Sequence, residues 1–285
     1  MNKIKNSKLN QDFHPYNSLT CVFGARFCSS SDISFKPEIQ ISSSYIRQFW
    51  VGLLEGDGSI TVDQNKPSKL SRARLFISLK NLEKNRIMLN MIQKEIGGKV
   101  RVERNNSYVT WAIVSKKDIE TALSILDEYP LLTTRRICQL EFLKKCIKDR
   151  DVNLYLQNRD YKYDKQREMT VLLNHKFIIP HYFPAWLSGF IEAEGHFSVY
   201  NVNGKIKPKS FTIGQNNDLF ILEAIKYYFD SHHKICCSAG FAHKKNKQKI
   251  DYYRIDIYGQ KIIQNIQNHF LTNPLLGDKQ ESYKK

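Results

Sequence analysis

The chain has 285 residues, 41% hydrophobic and 12% aromatic, which is enough for about two domains with real cores and too apolar for wholesale disorder. A formal net charge of +16 and a pI near 9.5 point to a polyanionic partner, nucleic acid first, and no apolar run reaches the roughly 18 residues of a membrane helix. Six cysteines, at 21, 28, 138, 146, 236 and 237, form no C-x-x-C pair, which argues against a zinc spacing and a disulfide framework and for free thiols in a reducing compartment.

Residues 1–44 are polar at first and lack a compact apolar signal core. Lys3, Lys5, Lys8 and Arg26 stand against Asp12, Asp32 and Glu38, a weak match to an organelle presequence, and the segment reads as an extension ahead of the fold. The first unit is placed at 45–147. It begins with an apolar helical run that ends Trp50-Val51-Gly52-Leu53-Leu54-Glu55-Gly56-Asp57-Gly58. Alternation over Ser59-Ile60-Thr61-Val62 predicts a half-buried strand, then a basic loop with Lys66, Lys69, Arg72 and Arg74, and a second strand over Leu75–Leu79. A helix over 82–96 follows and is closed by Gly97-Gly98. A hairpin over 100–114, a further helix, the phrase Tyr129-Pro130-Leu131-Leu132 and a helix over about 134–147 complete the unit.

Residues 148–180 are rich in charge and read as a tether. From 181 to 285 the same order returns. The phrase Leu187-Ser188-Gly189-Phe190-Ile191-Glu192-Ala193-Glu194-Gly195 repeats the first motif, small residue for small residue and acid for acid. A strand over His196–Tyr200, a basic loop with Lys205, Lys207 and Lys209, a strand over Phe211–Gln215 and a helix over 217–229 follow. Two more strands flank a basic connection through Lys244, Lys245, Lys247 and Lys249, and the unit closes on Asn273-Pro274-Leu275-Leu276. The second unit stops where the first would start its last helix, which reads as a trimmed repeat. The fold class is therefore α+β, two tandem pseudo-symmetric αββαββα units joined by a charged linker.

On helices, Gly52 and Gly56 share one face, as do Gly189 and Ala193, so two motif helices can approach closely and form the interface between the halves. Gly58 and Gly195 stand at C-cap positions, which puts Asp57 and Glu194 at helix C-termini, where the helix dipole already places negative charge. A divalent cation would relieve both problems, since carboxylates and freed carbonyls are the hard oxygen ligands that Mg²⁺ uses. The competing reading is a pair of ordinary solvated helix-end acids, which a single motif would leave open and a matched pair disfavours.

These residues resemble the LAGLIDADG homing endonucleases in their single-chain, double-motif form, over roughly residues 45–285, and the run Trp186–Tyr200 is similar to fungal mitochondrial intron-encoded members. The resemblance implies two saddle-like sheets along the major groove of double-stranded DNA and motif helices over the minor groove. It implies that Asp57 and Glu194, with the carbonyls of Gly56 and Ala193, bind Mg²⁺ ions that promote phosphodiester hydrolysis and leave short 3′ overhangs. Glu55 and Glu192, with Gly52 and Gly189, are then structural parts of the helix interface. The family's polar residue at the end of the second strand matches Gln215 but falls on Leu79 in the first half, so the two sites are expected to be unequal. Its active-site lysine is matched to Lys117 and Lys261, equally far ahead of Pro130 and Pro274, with Lys116 a rival and a solvated helix-start lysine the bland alternative. Some such members also act as RNA maturases, so group I intron RNA is the alternative partner, with or without cleavage. No membrane partner, a monomer, and a mitochondrial location with plastid second complete the expectation.

In that topology outward strand residues read bases and loops touch phosphates. The candidates are Ser59, Thr61, Arg72, Arg74, Ser78, Arg101, Arg104 and Trp111 in the first half. In the second they are Ser198, Tyr200, Lys207, Lys209, Thr212, Lys244, Lys245, Lys247, Arg254 and Asp256.

Overall fold

Helix α1 (Ser43–Gly56) starts at Ser42, whose hydroxyl accepts the Tyr45 N–H at 3.1 Å, an N-cap that satisfies one of the first turn's free donors. The run Phe49–Glu55 behind it is buried, and the helix stops where Gly56, Asp57 and Gly58 lead into a strand. The computed structural model describes residues 41–62, 73–149, 152–202, 205–239 and 250–284.

After α1 come β1 (Gly58–Val62), β2 (Ala73–Lys80), α2 (Glu83–Ile96), β3 (Lys99–Glu103), β4 (Tyr108–Ile113), α3 (Lys116–Glu128) and α4 (Thr134–Asp149). Two linker helices follow, α5 (Val152–Asn158) and α6 (Gln166–Lys176). The order then repeats as α7 (Phe183–Glu194), β5 (His196–Val202), β6 (Lys205–Asn216), α8 (Leu219–Tyr228), β7 (Ile235–Ala239), β8 (Asp251–Tyr258), α9 (Gln260–Thr272) and α10 (Lys279–Lys284). Each half builds one antiparallel four-stranded sheet, β1-β2-β4-β3 and β5-β6-β8-β7. Period-two alternation sends Leu75, Ile77, Val109, Trp111 and Ile113 into the first core, and Phe211, Ile213, Ile255 and Ile257 into the second. The α+β class and the tandem repeat hold.

Two expectations change. The segment read as a second basic loop is the first half of β6, which pairs with β5 from Lys205 onward across a register shift at Ser198/Val199. Ile206 alternating with Lys205 and Lys207 suits a strand, and Pro208 is tolerated because β8 pairs with β6 only from Ser210 on, so its missing N–H costs no ladder bond there. The linker is not a bare tether. Tyr155 donates its hydroxyl to Val62 O at 3.2 Å and packs on Phe142, Gln166 donates to Thr134 Oγ1 at 3.0 Å, and Phe177 packs on Phe220 at 5.0 Å. Apolar and amide side chains scattered among its charges thus brace both halves.

The seam between the halves is α1 against α7. A Cβ on Gly52 would lie 1.9 Å from Trp186 O, and one on Gly189 would lie 1.9 Å from Phe49 O, so each glycine admits the other helix's backbone. Reciprocal clasps flank the seam. Tyr45 donates to Pro274 O at 2.6 Å, and Tyr182, its repeat counterpart, donates to Pro130 O at 2.5 Å. Buried Asp218 accepts from Thr134 N and Oγ1 at 3.0 and 2.5 Å, while Asn85 Oδ1 accepts from Asp278 N at 3.0 Å.

Candidate active site at the helix interface

The small residues that allow the seam also bring the two helix ends together. A Cβ on Gly56 would stand 2.2 Å from Ala193 Cβ and 3.2 Å from Glu194 Cγ. Asp57 and Glu194 therefore leave the paired C-termini side by side, and both reach solvent. Protein mass around the helix ends nevertheless removes much of their water, and this partial desolvation raises both pKa values above the ordinary carboxylate range. The charge of Asp57 raises Glu194 further, whereas Lys279 and Arg136 pull both down.

Those two cations are the part of the site that the sequence did not disclose. Arg136 donates from Nε to Glu55 O at 3.1 Å and from Nη2 to Gly56 O at 2.9 Å. Lys279 donates from Nζ to Ile191 O at 3.1 Å and Ala193 O at 2.5 Å. Each motif helix is thus closed by a cation that satisfies its last carbonyls and opposes its dipole. Burial lowers both cations' pKa values, and the nearby acids raise them again. A signal was present: both cations sit shortly after a Pro-Leu-Leu phrase.

Lys117 and Lys261, by contrast, lie exposed in the first turns of α3 and α9, and neither is among the groups acting on Asp57 or Glu194. Lys116 pairs with Glu120 at 3.7 Å on the same surface. A helix-start position leaves a lysine's stem free to follow solvent, and no helix-end carbonyls draw it inward.

The sixth-position acids face inward. Glu55 accepts from Leu132 N at 2.8 Å, Thr133 N at 2.5 Å and Trp186 Nε1 at 2.7 Å, the last from the other half. Glu192 accepts from Gly277 N at 3.1 Å and Lys279 N at 3.0 Å. Burial raises both pKa values and these donors lower them. Each acid thereby holds the loop that delivers its half's cation.

Beside Glu194 lies a cavity of about 320 Å³ lined by Glu55, Gly56, Thr133, Arg135, Arg136, Tyr163, Gln166, Glu194, Gln215 and Asn216–Asn217, with Ile250. Gln215 thus reaches the site, where its side chain also bonds Asp218. Leu79 instead packs inward on the core. Among the described residues, no group of three or more His, Cys, Asp or Glu could hold a metal ion. The donors are instead two carboxylates and helix-end carbonyls. The carbonyls of Gly56 and Ala193 already accept from Arg136 and Lys279, so they are at most shared ligands. An all-oxygen set with few protein ligands fits a hard cation that keeps much of its water, which describes Mg²⁺.

On the sheet faces away from the core stand Ser59, Thr61, Arg74, Ser78 and Arg101 in the first half, and Ser198, Thr212, Arg254 and Asp256 in the second. Several are held in place: Arg74 lies 4.5 Å over the Phe76 ring, Ser78 bonds Thr110 at 3.0 Å, and Asp256 accepts from Thr212 at 2.6 Å and Arg254 at 2.7 Å. Arg104 turns the hairpin at φ 54° and stacks 4.9 Å over Tyr108. Trp111 does not join this face. It alternates inward, is fully buried and donates Nε1 to Gly97 O at 2.9 Å. Arg72, Lys244, Lys245 and Lys247 lie outside the described residues, as do the side chains of Tyr200, Lys207 and Lys209.

Comparison with known proteins agrees with this architecture. The sequence model of a family described as LAGLIDADG endonuclease matches residues 50–146 and again 187–285. A protein of Dictyostelium citrinum named "probable intron-encoded endonuclease" is 37% identical over 86% of this chain and 96% of its own length. One of Debaryomyces hansenii with the same description is 35% identical over 90% of this chain, which spans only 40% of that relative. Among solved structures, the LAGLIDADG homing endonuclease I-GzeII in complex with a DNA target superposes with a TM-score of 0.59 at 20% identity, covering 86% of this chain and 88% of that one. I-SmaMI, bound to uncleaved DNA in the presence of calcium ions, gives 0.54 at 17% identity over 83% and 87%. With the family pattern matched twice, once in each half, the chain belongs to the LAGLIDADG endonuclease family in its double-motif, single-chain form.

Proposed function

We propose that this chain is a site-specific double-strand DNA endonuclease that hydrolyses one phosphodiester in each strand of a long, asymmetric target. The observation that carries the proposal is the pairing of Asp57 with Glu194 at two helix ends, each end closed by its own cation, between two sheets of one chain. A nuclease needs to cut two strands of opposite polarity, and a pseudo-symmetric monomer offers each strand one half. Mg²⁺ bound there would supply Lewis-acid charge for phosphoryl transfer. Asp57 and Glu194 would hold the cation and orient water. Arg136 and Lys279 would keep the helix ends in place and offset negative charge that develops on the phosphate. Gln215, beside Glu194, would order water in the second half, and Leu79 leaves the first half without that group. The outward polar rows would lie along the major groove, with short 3′ overhangs as the product of cutting across the minor groove. The names of the relatives favour an intron-encoded endonuclease, and a mitochondrial location rests on the resemblance of Trp186–Tyr200 to fungal mitochondrial intron-encoded members.

The test is a supercoiled plasmid that carries the uninterrupted exon junction, incubated with Mg²⁺ or Ca²⁺. The expected result is linear product with Mg²⁺, and loss of double-strand cleavage with retained binding in Asp57→Asn and Glu194→Gln. Tight binding with no cut in either strand under Mg²⁺ would overturn the endonuclease reading. Normal cutting by the double variant would overturn the assignment of the two acids.

A further inference from the structure

Arg136 is held from two sides. Its Nε and Nη2 donate to the α1 carbonyls, while Nη1 donates to Gln139 Oε1 at 3.0 Å, one turn along α4. Gln139 is itself 7% exposed, and its Nε2 donates to the hydroxyl of Tyr163 at 2.8 Å. Tyr163 belongs to neither repeat. It lies in the turn between α5 and α6, where the guanidinium of Arg135 sits 5.6 Å and the ammonium of Lys162 5.2 Å from its ring centre.

An amide side chain presents an acceptor at one end and donors at the other, and only its neighbours decide which way it faces. Arg136 offers only donors, so Oε1 faces it, and the Tyr163 hydroxyl accepts from Nε2 at the amide's other end and holds the side chain in place. Without that hydroxyl a buried N–H₂ loses its partner. The amide is then drawn away to satisfy its N–H₂ with water, and Oε1 leaves the guanidinium. In the second half Lys279 grips the α7 carbonyls directly, and the residue one turn on is exposed Ser282. Among the described residues no linker side chain bonds to Lys279.

We propose that Tyr163, acting through Gln139, is a positioning residue for Arg136, so that the linker controls one of the two strand cuts and leaves the other alone. This rests on the endonuclease reading above, and it gives the segment between the halves a role in the cutting of one strand.

The experiment follows both strands of an end-labelled duplex target in single turnover, for the parent, Tyr163→Phe, Arg136→Gln and Lys279→Gln. Tyr163→Phe should slow one strand by roughly 3- to 10-fold, the scale of one hydrogen bond, and change the other by less than about 2-fold. The slowed strand should be the one that Arg136→Gln slows and not the one that Lys279→Gln slows. Gln139→Glu offers acceptors in either orientation, so combined with Tyr163→Phe it should restore the slow strand. Equal slowing of both strands, slowing of the Lys279-dependent strand, or failure of that rescue would each overturn the proposal. A second readout needs no cleavage. Solvent exchange of the Arg136 Nε–H, followed by ¹⁵N NMR, should rise in Tyr163→Phe, and an unchanged rate overturns the positioning role. If the parent cuts neither strand, the endonuclease reading falls, and the exchange rate alone decides whether Tyr163 holds Arg136.

Discussion

Gly189→Ala and Gly52→Ala test the seam most directly. A Cβ on Gly189 meets Phe49 O at 1.9 Å, Phe49 C at 2.8 Å and Leu53 N at 2.9 Å, while one on Gly52 meets Trp186 O at 1.9 Å and Phe190 N at 2.8 Å. All of these are backbone atoms, so no rotamer change relieves the clash. Ordinary contact begins at 3.4 Å, so the helices must part by about 1.5 Å locally. Such overpacking costs about 1–3 kcal/mol, and rigid backbone on both sides puts these sites at the upper end. At about 2–4 °C per kcal/mol for a chain of this size, each variant should lose roughly 6–12 °C in Tm. Parting the helices also separates Asp57 from Glu194, so cleavage should fall further than the melting temperature alone accounts for. Gly259→Ala is the control. Its Cβ would meet nothing within 4 Å, and only its φ of 92° resists substitution. Melting curves of the three variants, taken with cleavage at a temperature where all are folded, make the comparison. A Gly189→Ala protein that melts with the parent would refute the packing argument.

Glu55→Gln should destabilise by about 2–4 kcal/mol in urea titration, because the new amide must turn its N–H₂ either toward Thr133 N–H or toward the N–H groups of Leu132 and Trp186. Asp218 should set a pH window. Burial raises its carboxyl from 3.8 to about 7, so its proton favours the native state fully below pH 3.8, and that advantage is lost as pH rises toward 7. Asp218→Asn should flatten the stability profile across that window by up to about 4 kcal/mol, and an unchanged profile would count against a raised value. DNA binding should weaken with salt at a log–log slope of about −0.9 per phosphate neutralised, and Arg101→Ala, on an exposed strand, should reduce that slope by roughly one unit if it meets a phosphate.

Much of this protein could be read in one dimension because it repeats. The two motifs, the alternation of the strands and the Pro-Leu-Leu phrases are local patterns, and each half writes them once. Small residues four apart already require a close helix pair, and an acid before a terminal glycine already lies at a helix end. Pattern alone could not say which groups answer those helix ends. Lys117 and Lys261, matched to the family's active-site lysine, lie exposed on α3 and α9, away from the helix-end carbonyls. Arg136 and Lys279 reach the carbonyls instead, because Glu55 and Glu192 bind the loop backbones that carry them. Trp111 looked like a groove residue until the register of β4 turned it inward. The charge of the linker concealed Tyr155, Tyr163 and Gln166, whose partners lie on other elements. The sequence by itself determined the repeat, the helix seam and the pair of acids, because periodicity and backbone sterics act over a few residues. Only the tertiary structure decided the cations, the inward tryptophan and the braced linker, because a hydrogen bond between residues eighty apart leaves no period in the chain.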